Sequence, residues 1–196
     1  MIVISNPIAI ANEINLIHSL FEEGLELFHI RKLEFSEIEI TAFIDQIKSE
    51  FRSQLVLCQH HHLAENFGIN RFHFSENKRK KRLQITLENK TFSTSTHNIE
   101  DFNLLSENFE YAFLSPVFQS ISKEEYQPKT NLFEDLKSRT NFKTKVVALG
   151  GISSEKIKET LENGFDDVAL LGTIWNNENP VKQFKSCQKI VRTYSL

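Results

Sequence analysis

The sequence is poor in cysteine and in long apolar runs. Its 196 residues include only two cysteines, Cys58 and Cys187, which fit no metal-ligand spacing and could form at most one disulfide. No apolar run approaches the roughly 20 residues of a membrane span, and the N-terminus lacks the basic and then apolar pattern of a signal peptide. We therefore expect a cytoplasmic protein with free thiols and no membrane partner.

The sequence also lacks an excess of positive charge. It has 23 Lys and Arg against 26 Asp and Glu, a formal net charge of -3. Such a chain is not expected to bind nucleic acid. The basic run from Lys78 to Arg82 has no interleaved aromatic residues, which favours a solvated loop over a nucleic-acid patch. Because the run starts just after an expected strand, it could steer a phosphorylated substrate inward.

Short apolar segments alternate with helical patterns along the whole chain. The expected strands are Ile2–Ser5, Leu25–Ile30, Gln54–Cys58, Arg71–Phe74, Thr91–Ser95, Tyr111–Leu114, Val146–Ile152 and Asp167–Thr173. Asn12, Asn98 and the pair Ser36 and Glu39 are expected to cap helices between them. About eight strand-helix units in roughly 200 residues predict an α/β fold, a single-domain (β/α)8 TIM barrel over residues 1–196, in preference to an open doubly wound sheet.

The last two expected strands both contain glycine near their C-terminal ends. Gly150 and Gly151 precede a helix expected to begin at Ser153, and Gly172 closes the next strand. Glycine lets backbone N–H groups approach a ligand, and a helix N-terminus favours an anion. The pattern predicts a phosphate site where the two strands end, although such a loop can need glycine for its turn alone.

Polar residues close the other expected strands, and in a barrel they would surround one mouth. Three histidines, His29, His73 and His97, are candidates for acid-base catalysis, although each could instead be a hydrogen-bonded structural residue. Arg31 is a candidate phosphate clamp, and Ser95 is a further candidate for substrate binding. The consecutive residues His60, His61 and His62 cannot converge on one ion, so no metal site is predicted.

A group of these strand-end segments follows the order known from one protein family. The segments are His29-Ile30-Arg31, Phe72-His73-Phe74-Ser75, Ser93-Thr94-Ser95-Thr96-His97, Ser115-Pro116-Val117-Phe118 with Ser120, Ser122 and Lys123, Ala148-Leu149-Gly150-Gly151-Ile152 and Val168-Ala169-Leu170-Leu171-Gly172. They resemble the strand-end motifs of the thiamin phosphate synthase and thiazole tautomerase family. The resemblance implies a (β/α)8 barrel enzyme of thiamin biosynthesis with thiazole phosphate as its small-molecule ligand. It further implies that Ser120, Ser122 and Lys123 bind polar and anionic groups, and that Gly150, Gly151 and Gly172 hold the phosphate.

The chain departs from the synthase pattern at the second substrate. The synthase usually has Gln-x-Arg-x-Lys after strand two, whereas this chain has Leu33 at the lysine position and Lys32 one residue away. Where the synthase has two aspartates for magnesium, this chain has Gln59 and Lys78. Magnesium is therefore expected only if the chain is a synthase, and otherwise no cofactor is expected.

Three functions stay open at this point. The first is isomerisation of a thiazole phosphate by acid-base proton transfer, as in the tautomerase. The second is the synthase reaction, which joins a pyrimidine diphosphate to a thiazole phosphate with release of pyrophosphate. The third is a catalytically inactive ligand-binding or regulatory barrel. The compared tautomerase has a histidine where Pro116 stands, so the base is unassigned. The oligomeric state, a homodimer included, is also open.

Overall fold

Eight parallel strands form a closed barrel in chain order in the computed structural model, which describes residues 1–81, 89–119 and 130–194. The strands are β1 Ile2–Ile4, β2 Leu27–Ile30, β3 Leu55–Leu57, β4 Arg71–Phe74, β5 Thr91–Thr96, β6 Phe109–Leu114, β7 Lys145–Ala148 and β8 Asp167–Leu170. Each strand pairs in parallel with the next, and β1 also pairs with β8. The predicted (β/α)8 architecture is confirmed.

Helices follow the strands around the outside of the barrel. Within the described residues they are α1 Glu13–Glu22, α2 Glu37–Asp45, α3 Ala64–Phe67, α4 Glu76–Lys81, α5 Ile99–Asn103, α6 Leu132–Asp135, α7 Ser154–Glu162, α8 Gly172–Trp175 and α9 Pro180–Arg192. Short 3₁₀ segments occupy Ser49–Gln54, His61–Leu63 and Leu136–Ser138. None of the described helices is long and apolar enough to cross a membrane.

Two of the three predicted helix caps are confirmed. Ser36 and Glu39 form a reciprocal capping box at α2, and Asn98 accepts a hydrogen bond from the Asp101 N–H at α5. The predicted cap at Asn12 is wrong, because Asn12 is left-handed with φ 61° and makes no capping bond. Its side-chain oxygen instead accepts a hydrogen bond from the Asn15 amide, at 2.6 Å.

The first four residues of the basic run, which is expected to be a loop, lie in the helix α4. Lys80 pairs with Glu76 one helical turn earlier, with an Nζ to Oε1 distance of 2.6 Å, and pairs of this spacing favour a helix. The prediction of a solvated loop is therefore wrong for residues 78–81. Arg82 lies outside the described residues. The correction matters for function because the first turn of α4 lies beside the C-terminal end of β4.

Alternate residues of each strand point into the barrel, and this interior carries both apolar and polar groups. An inner cluster contains Ile2, Ile4, Tyr111, Phe113, Val147 and Ala169, whereas the larger core lies between strands and helices. His29 and His73 are buried among these inner side chains. The polar residues that end the strands lie above this inner layer.

Candidate functional site

A cavity of about 530 Å³ opens at the C-terminal ends of the barrel strands. Seven of the residues proposed from the sequence line it, namely Arg31, His73, Ser95, His97, Gly150, Gly151 and Gly172. Cys58, Ser75, Glu76, Lys78, Ser115 and Thr173 join them. Ser120, Ser122 and Lys123 lie outside the described residues. His29 is described, but it lies below the cavity lining.

The two glycines after β7 form a turn that only glycine accommodates. Gly150 and Gly151 have φ values of +98° and +65°. A Cβ on Gly150 would lie 2.8 Å from the Pro116 Cβ, and one on Gly151 would lie 2.7 Å from the Phe118 Cβ. The segment after β6 is held against this turn, since the Phe118 N–H donates to the Gly150 carbonyl at 3.0 Å. Close packing therefore requires these glycines, whether or not a ligand binds.

The same turn leads directly into the N-terminus of α7. The first N–H groups of a helix have no partner inside the helix, and they favour an anion. Ser153, the residue before α7, has a buried Oγ with no hydrogen-bond partner among the described residues. In α8, which follows the neighbouring strand β8, Thr173 donates its hydroxyl to the Ile152 carbonyl and so fixes the two loops together. The geometry is suited to an anionic group at this side of the mouth.

His97 is the half-exposed histidine of the mouth, and one of its ring nitrogens has a fixed role. Its Nδ1 lies 2.8 Å from the carbonyl oxygen of Ser115. A carbonyl can only accept, so Nδ1 carries the proton and the lone pair of the neutral ring is on Nε2. The Nε2 atom lies 3.8 Å from Oε2 of Glu76. His97 therefore combines access to the cavity with a nitrogen that can accept a proton.

His73 lines the cavity floor, but its surroundings oppose protonation. Its Nδ1 and Nε2 each lie 2.9 Å from a serine hydroxyl, of Ser93 and Ser95 respectively. Burial, with smaller contributions from Arg31 and His61, lowers the pKa of His73 to about 3. The ring is therefore neutral at physiological pH, and its Nε2 holds the hydroxyl of Ser95, which also lines the cavity.

His29 is fully buried beneath the floor. Its Nε2 lies 2.6 Å from the Tyr111 hydroxyl, and its Nδ1 lies 3.7 Å from the Cys58 thiol. Burial, followed by the neighbouring His73, holds the pKa of His29 well below its usual value. The side chain supports the floor of the cavity without lining it.

Two cations face the cavity on the side of β2 and β4. Arg31 and Lys78 both line it, and neither forms an ion pair with any of the described residues. Cys58 lies between β2 and β4, at the end of β3. Burial raises the pKa of the Cys58 thiol to about 12, and Arg31 and Lys78 oppose this increase. The two positive charges therefore line the same side of the cavity.

Lys32 does not replace the lysine that is missing at Leu33. Its side chain is fully buried away from the cavity, with Nζ 2.6 Å from Oε2 of Glu13 and 2.7 Å from the carbonyl of Ile8. The rings of Phe35 and Phe43 cover the ammonium at 5.2 and 5.0 Å. Lys32 therefore ties the β2 loop to α1, whereas Leu33 is exposed at the rim.

The residues at the two magnesium positions do not fit a magnesium ion. The Gln59 amide donates to the Lys32 carbonyl and does not line the cavity, whereas Lys78 brings a positive charge into it. Glu76 is the one carboxylate that lines the cavity in the described part of the chain, and it is paired with Lys80. Magnesium prefers carboxylate and water oxygens in octahedral geometry, which an amide and an ammonium cannot supply.

Glu76 is the functional candidate that the sequence analysis missed. It begins α4 directly after β4 and faces His97. An acidic residue in the first turn of a helix is favoured by the helix dipole, so a correct helix prediction there would have drawn attention to it. Its contact with His97 depends on how α4 lies over β5, which sequence spacing does not encode.

Comparison with known proteins places this barrel in a family. The family described as thiamine monophosphate synthase matches residues 1–174. A thiamine-phosphate synthase of Caldicellulosiruptor saccharolyticus is 23% identical over 189 residues, which cover 93% of this chain and 86% of the relative. Another, of Lysinibacillus sphaericus, is 26% identical over 153 residues, covering 69% of this chain and 71% of the relative.

Solved structures agree with this placement. A thiamine phosphate pyrophosphorylase from Bacteroides thetaiotaomicron superimposes with a TM-score of 0.78 at 26% identity, covering 98% of this chain and 97% of its own. One from Pyrococcus furiosus shares the fold with a TM-score of 0.77 at 17% identity, covering 100% and 96%. The family match over most of the chain agrees with the order of the strand-end motifs. The chain therefore belongs to the thiamine monophosphate synthase family of thiamin biosynthesis.

Proposed function

We propose that this protein binds a thiazole phosphate and isomerises it by proton transfer, with His97 as the catalytic base. The observation that carries the proposal is the hydrogen bond from His97 Nδ1 to the Ser115 carbonyl, which leaves Nε2 as the proton acceptor beside the cavity. Proton transfer requires a group with a suitable protonation state within reach of the ligand, and it requires no metal. The donor set at the mouth suits this chemistry better than a magnesium-dependent reaction.

The ligand phosphate belongs at the turn after β7 and at the loop after β8. Gly150, Gly151 and Gly172 line that side of the cavity, and the N-terminus of α7 lies behind the glycine turn. A phosphate held there is stabilised by backbone N–H groups and by the helix dipole. The thiazole ring then extends toward Ser95 and His97, which line the same cavity.

The reaction proceeds in two proton transfers at one nitrogen. Nε2 of neutral His97 takes a proton from a ring carbon of the ligand, and the electron pair of that C–H bond remains on the ligand as a delocalised anion. The resulting imidazolium donates through Nδ1 to Ser115, while Glu76 lies 3.8 Å from Nε2. His97 then returns the proton to a different ligand atom, so both ring and ligand recover their charges. His73 takes no proton, because its pKa is about 3.

The synthase reaction is the second candidate. The relatives named above are thiamine-phosphate synthases, and Arg31 faces the cavity as a cation that could bind a diphosphate. The poor fit of Gln59 and Lys78 to magnesium weighs against it. Efficient turnover of a pyrimidine diphosphate by the native protein, increasing with magnesium, would make the synthase the function. Activity that appears only in a Gln59→Asp, Lys78→Asp double variant would support the tautomerase instead.

The direct test of the proposal follows the isomerisation of a thiazole carboxylate phosphate by NMR in D₂O. The native protein should convert the ligand and introduce deuterium at the ligand atom that receives the returned proton, because the imidazolium N–H exchanges with solvent. His97→Gln should reduce kcat by about 10²- to 10⁴-fold, the usual contribution of a general base. It should also retain ligand affinity, because the phosphate loops are unchanged.

His62→Gln is the matched control, because His62 is exposed outside the cavity and pairs with Glu37. It should turn over like the native protein. Full activity of His97→Gln would exclude His97 as the base. Tight ligand binding without any turnover by the native protein would instead indicate a ligand-binding barrel without catalysis.

A further inference from the structure

The β2 and β4 side of the mouth presents positive charge that no described residue neutralises. Arg31 follows β2, Lys78 lies in the first turn of α4, and both line the 530 Å³ cavity. Two neighbouring cations differ, since Lys32 pairs with Glu13, and Lys80 pairs with Glu76 and Asp101. Unpaired cations that converge on a cavity favour an anionic ligand group there.

Lys78 stands where the family resemblance places a carboxylate that holds magnesium. In such a site the metal neutralises an oxyanion of the ligand, and the carboxylate holds the metal. Here the protein itself carries a positive charge at that position, and Gln59 is turned toward the Lys32 carbonyl. A cation at this point repels a metal ion and attracts the oxyanion directly.

We propose that Arg31 and Lys78 form a second anion-binding subsite that works without a metal ion. It lies across the cavity from the glycine loops, so the ligand set of this protein includes an oxyanion besides the ring phosphate. That oxyanion is either the carboxylate of a thiazole ligand or the diphosphate of a second substrate. The inference concerns binding alone, and it does not require that His97 transfers a proton.

Glu76 is the described group that could compete with the oxyanion for the two cations. Its Oε1 accepts from Lys80 at 2.6 Å, and Lys80 also contacts Asp101 at 3.2 Å. Glu76 is thus part of a network on α4 and α5, and its Oε2 faces His97. The charges of Arg31 and Lys78 therefore remain available to a ligand.

Calorimetric titration with inorganic pyrophosphate tests the subsite without any turnover. The native protein should bind pyrophosphate in EDTA, without added magnesium. Lys78→Met and Arg31→Met should each weaken binding by about ten- to a hundredfold, the range of a charge-assisted hydrogen bond. Lys145→Met should leave it unchanged, because Lys145 is exposed at the N-terminal end of β7 and the loss of charge is the same.

Binding that appears only with magnesium would overturn the inference, as would equal losses in Lys78→Met and Lys145→Met. Titration with thiazole phosphate, with and without its carboxylate, then identifies the oxyanion. If Lys78→Met weakens only the carboxylated thiazole, the subsite takes the ligand carboxylate, and if it weakens only pyrophosphate, it takes a diphosphate. Both results support the subsite. Unaltered binding of every probe by Lys78→Met and Arg31→Met would refute it.

Discussion

Replacing Lys32 by methionine should destabilise the fold without changing the mouth of the barrel. The side chain is 0% exposed and its partner Glu13 is 4% exposed, with 2.6 Å between Nζ and Oε2. Removing one member of such a pair leaves an uncompensated buried charge, which costs about 3 to 5 kcal/mol. The loss should appear as a lower free energy of unfolding in urea, followed by circular dichroism.

The double variant Glu13→Leu, Lys32→Met separates pairing from burial. Burial raises the pKa of Glu13 and lowers the pKa of Lys32, in each case against the opposing effect of the partner. A raised carboxyl pKa means that stability from Glu13 is greatest at low pH and is lost as the pH rises through its folded value. A lowered lysine pKa means that stability from Lys32 is lost as the pH falls. Both charged forms are thus disfavoured by folding near neutrality, so we expect the double variant to regain most of the lost stability.

Lys182→Met is the control for losing a lysine, since Lys182 is exposed on α9 and should change the free energy of unfolding by no more than about 0.5 kcal/mol. Pyrophosphate affinity should be unchanged in all three variants. The opposite result, native stability with loss of pyrophosphate binding in Lys32→Met, would mean that Lys32 reaches the mouth. It would refute both the structural role of Lys32 and the assignment of the anion subsite.

Two further outcomes are expected. Gly151→Ala should lower the melting temperature, because the residue has φ +65° and its new Cβ would lie 2.7 Å from the Phe118 Cβ. A strained left-handed residue alone costs about 1 to 3 kcal/mol. An unchanged melting temperature would mean that the turn is loose. The free energy of unfolding should fall as the pH drops from about 6.5 toward 3, because His73 is protonated in the unfolded chain and not in the folded one. His73 contributes at most ~1.4 kcal/mol per pH unit to this decrease. His73→Asn should have a flatter urea-derived pH profile, and an identical slope would contradict the low pKa.

Strand order and barrel closure could be predicted from sequence because buried parallel strands have simple apolar signatures. The ends of the strands are less accurate for local reasons. Leu25 was assigned to the second strand, but its N–H donates to the Leu20 carbonyl of α1, and the strand begins at Leu27. A hydrogen bond that ends a helix competes with the sheet for the same residue, and apolar periodicity does not distinguish them.

At the candidate site, the sequence predicts where the residues lie but not how their side chains are buried and bonded. The sequence correctly brings Arg31, His73 and His97 to one end of the barrel, because the ends of parallel strands meet there. It gives no means of ranking the histidines, since His29, His73 and His97 all close a strand or lie near its end. Their burial and partners separate them, and these depend on residues far away in sequence, such as Tyr111 for His29 and Ser115 for His97.

Charge placement across the mouth has a consequence for which ligand the barrel selects. On the β7 and β8 side, an anion would contact backbone N–H groups and a helix N-terminus. These groups carry no net charge, so a side-chain substitution does not remove a charge from this side. On the β2 and β4 side, it would meet the side chains of Arg31 and Lys78, which are open to exchange one at a time. A lysine at position 78, in place of a carboxylate, removes a reason to recruit magnesium and supplies a positive charge at the same position. A ligand anionic at both ends gains from both sides of this cavity, whereas a ligand with phosphate alone leaves two cations desolvated and unpaired. We therefore expect selectivity for the doubly anionic ligand, and this selectivity should diminish when either Lys78 or Arg31 is neutralised.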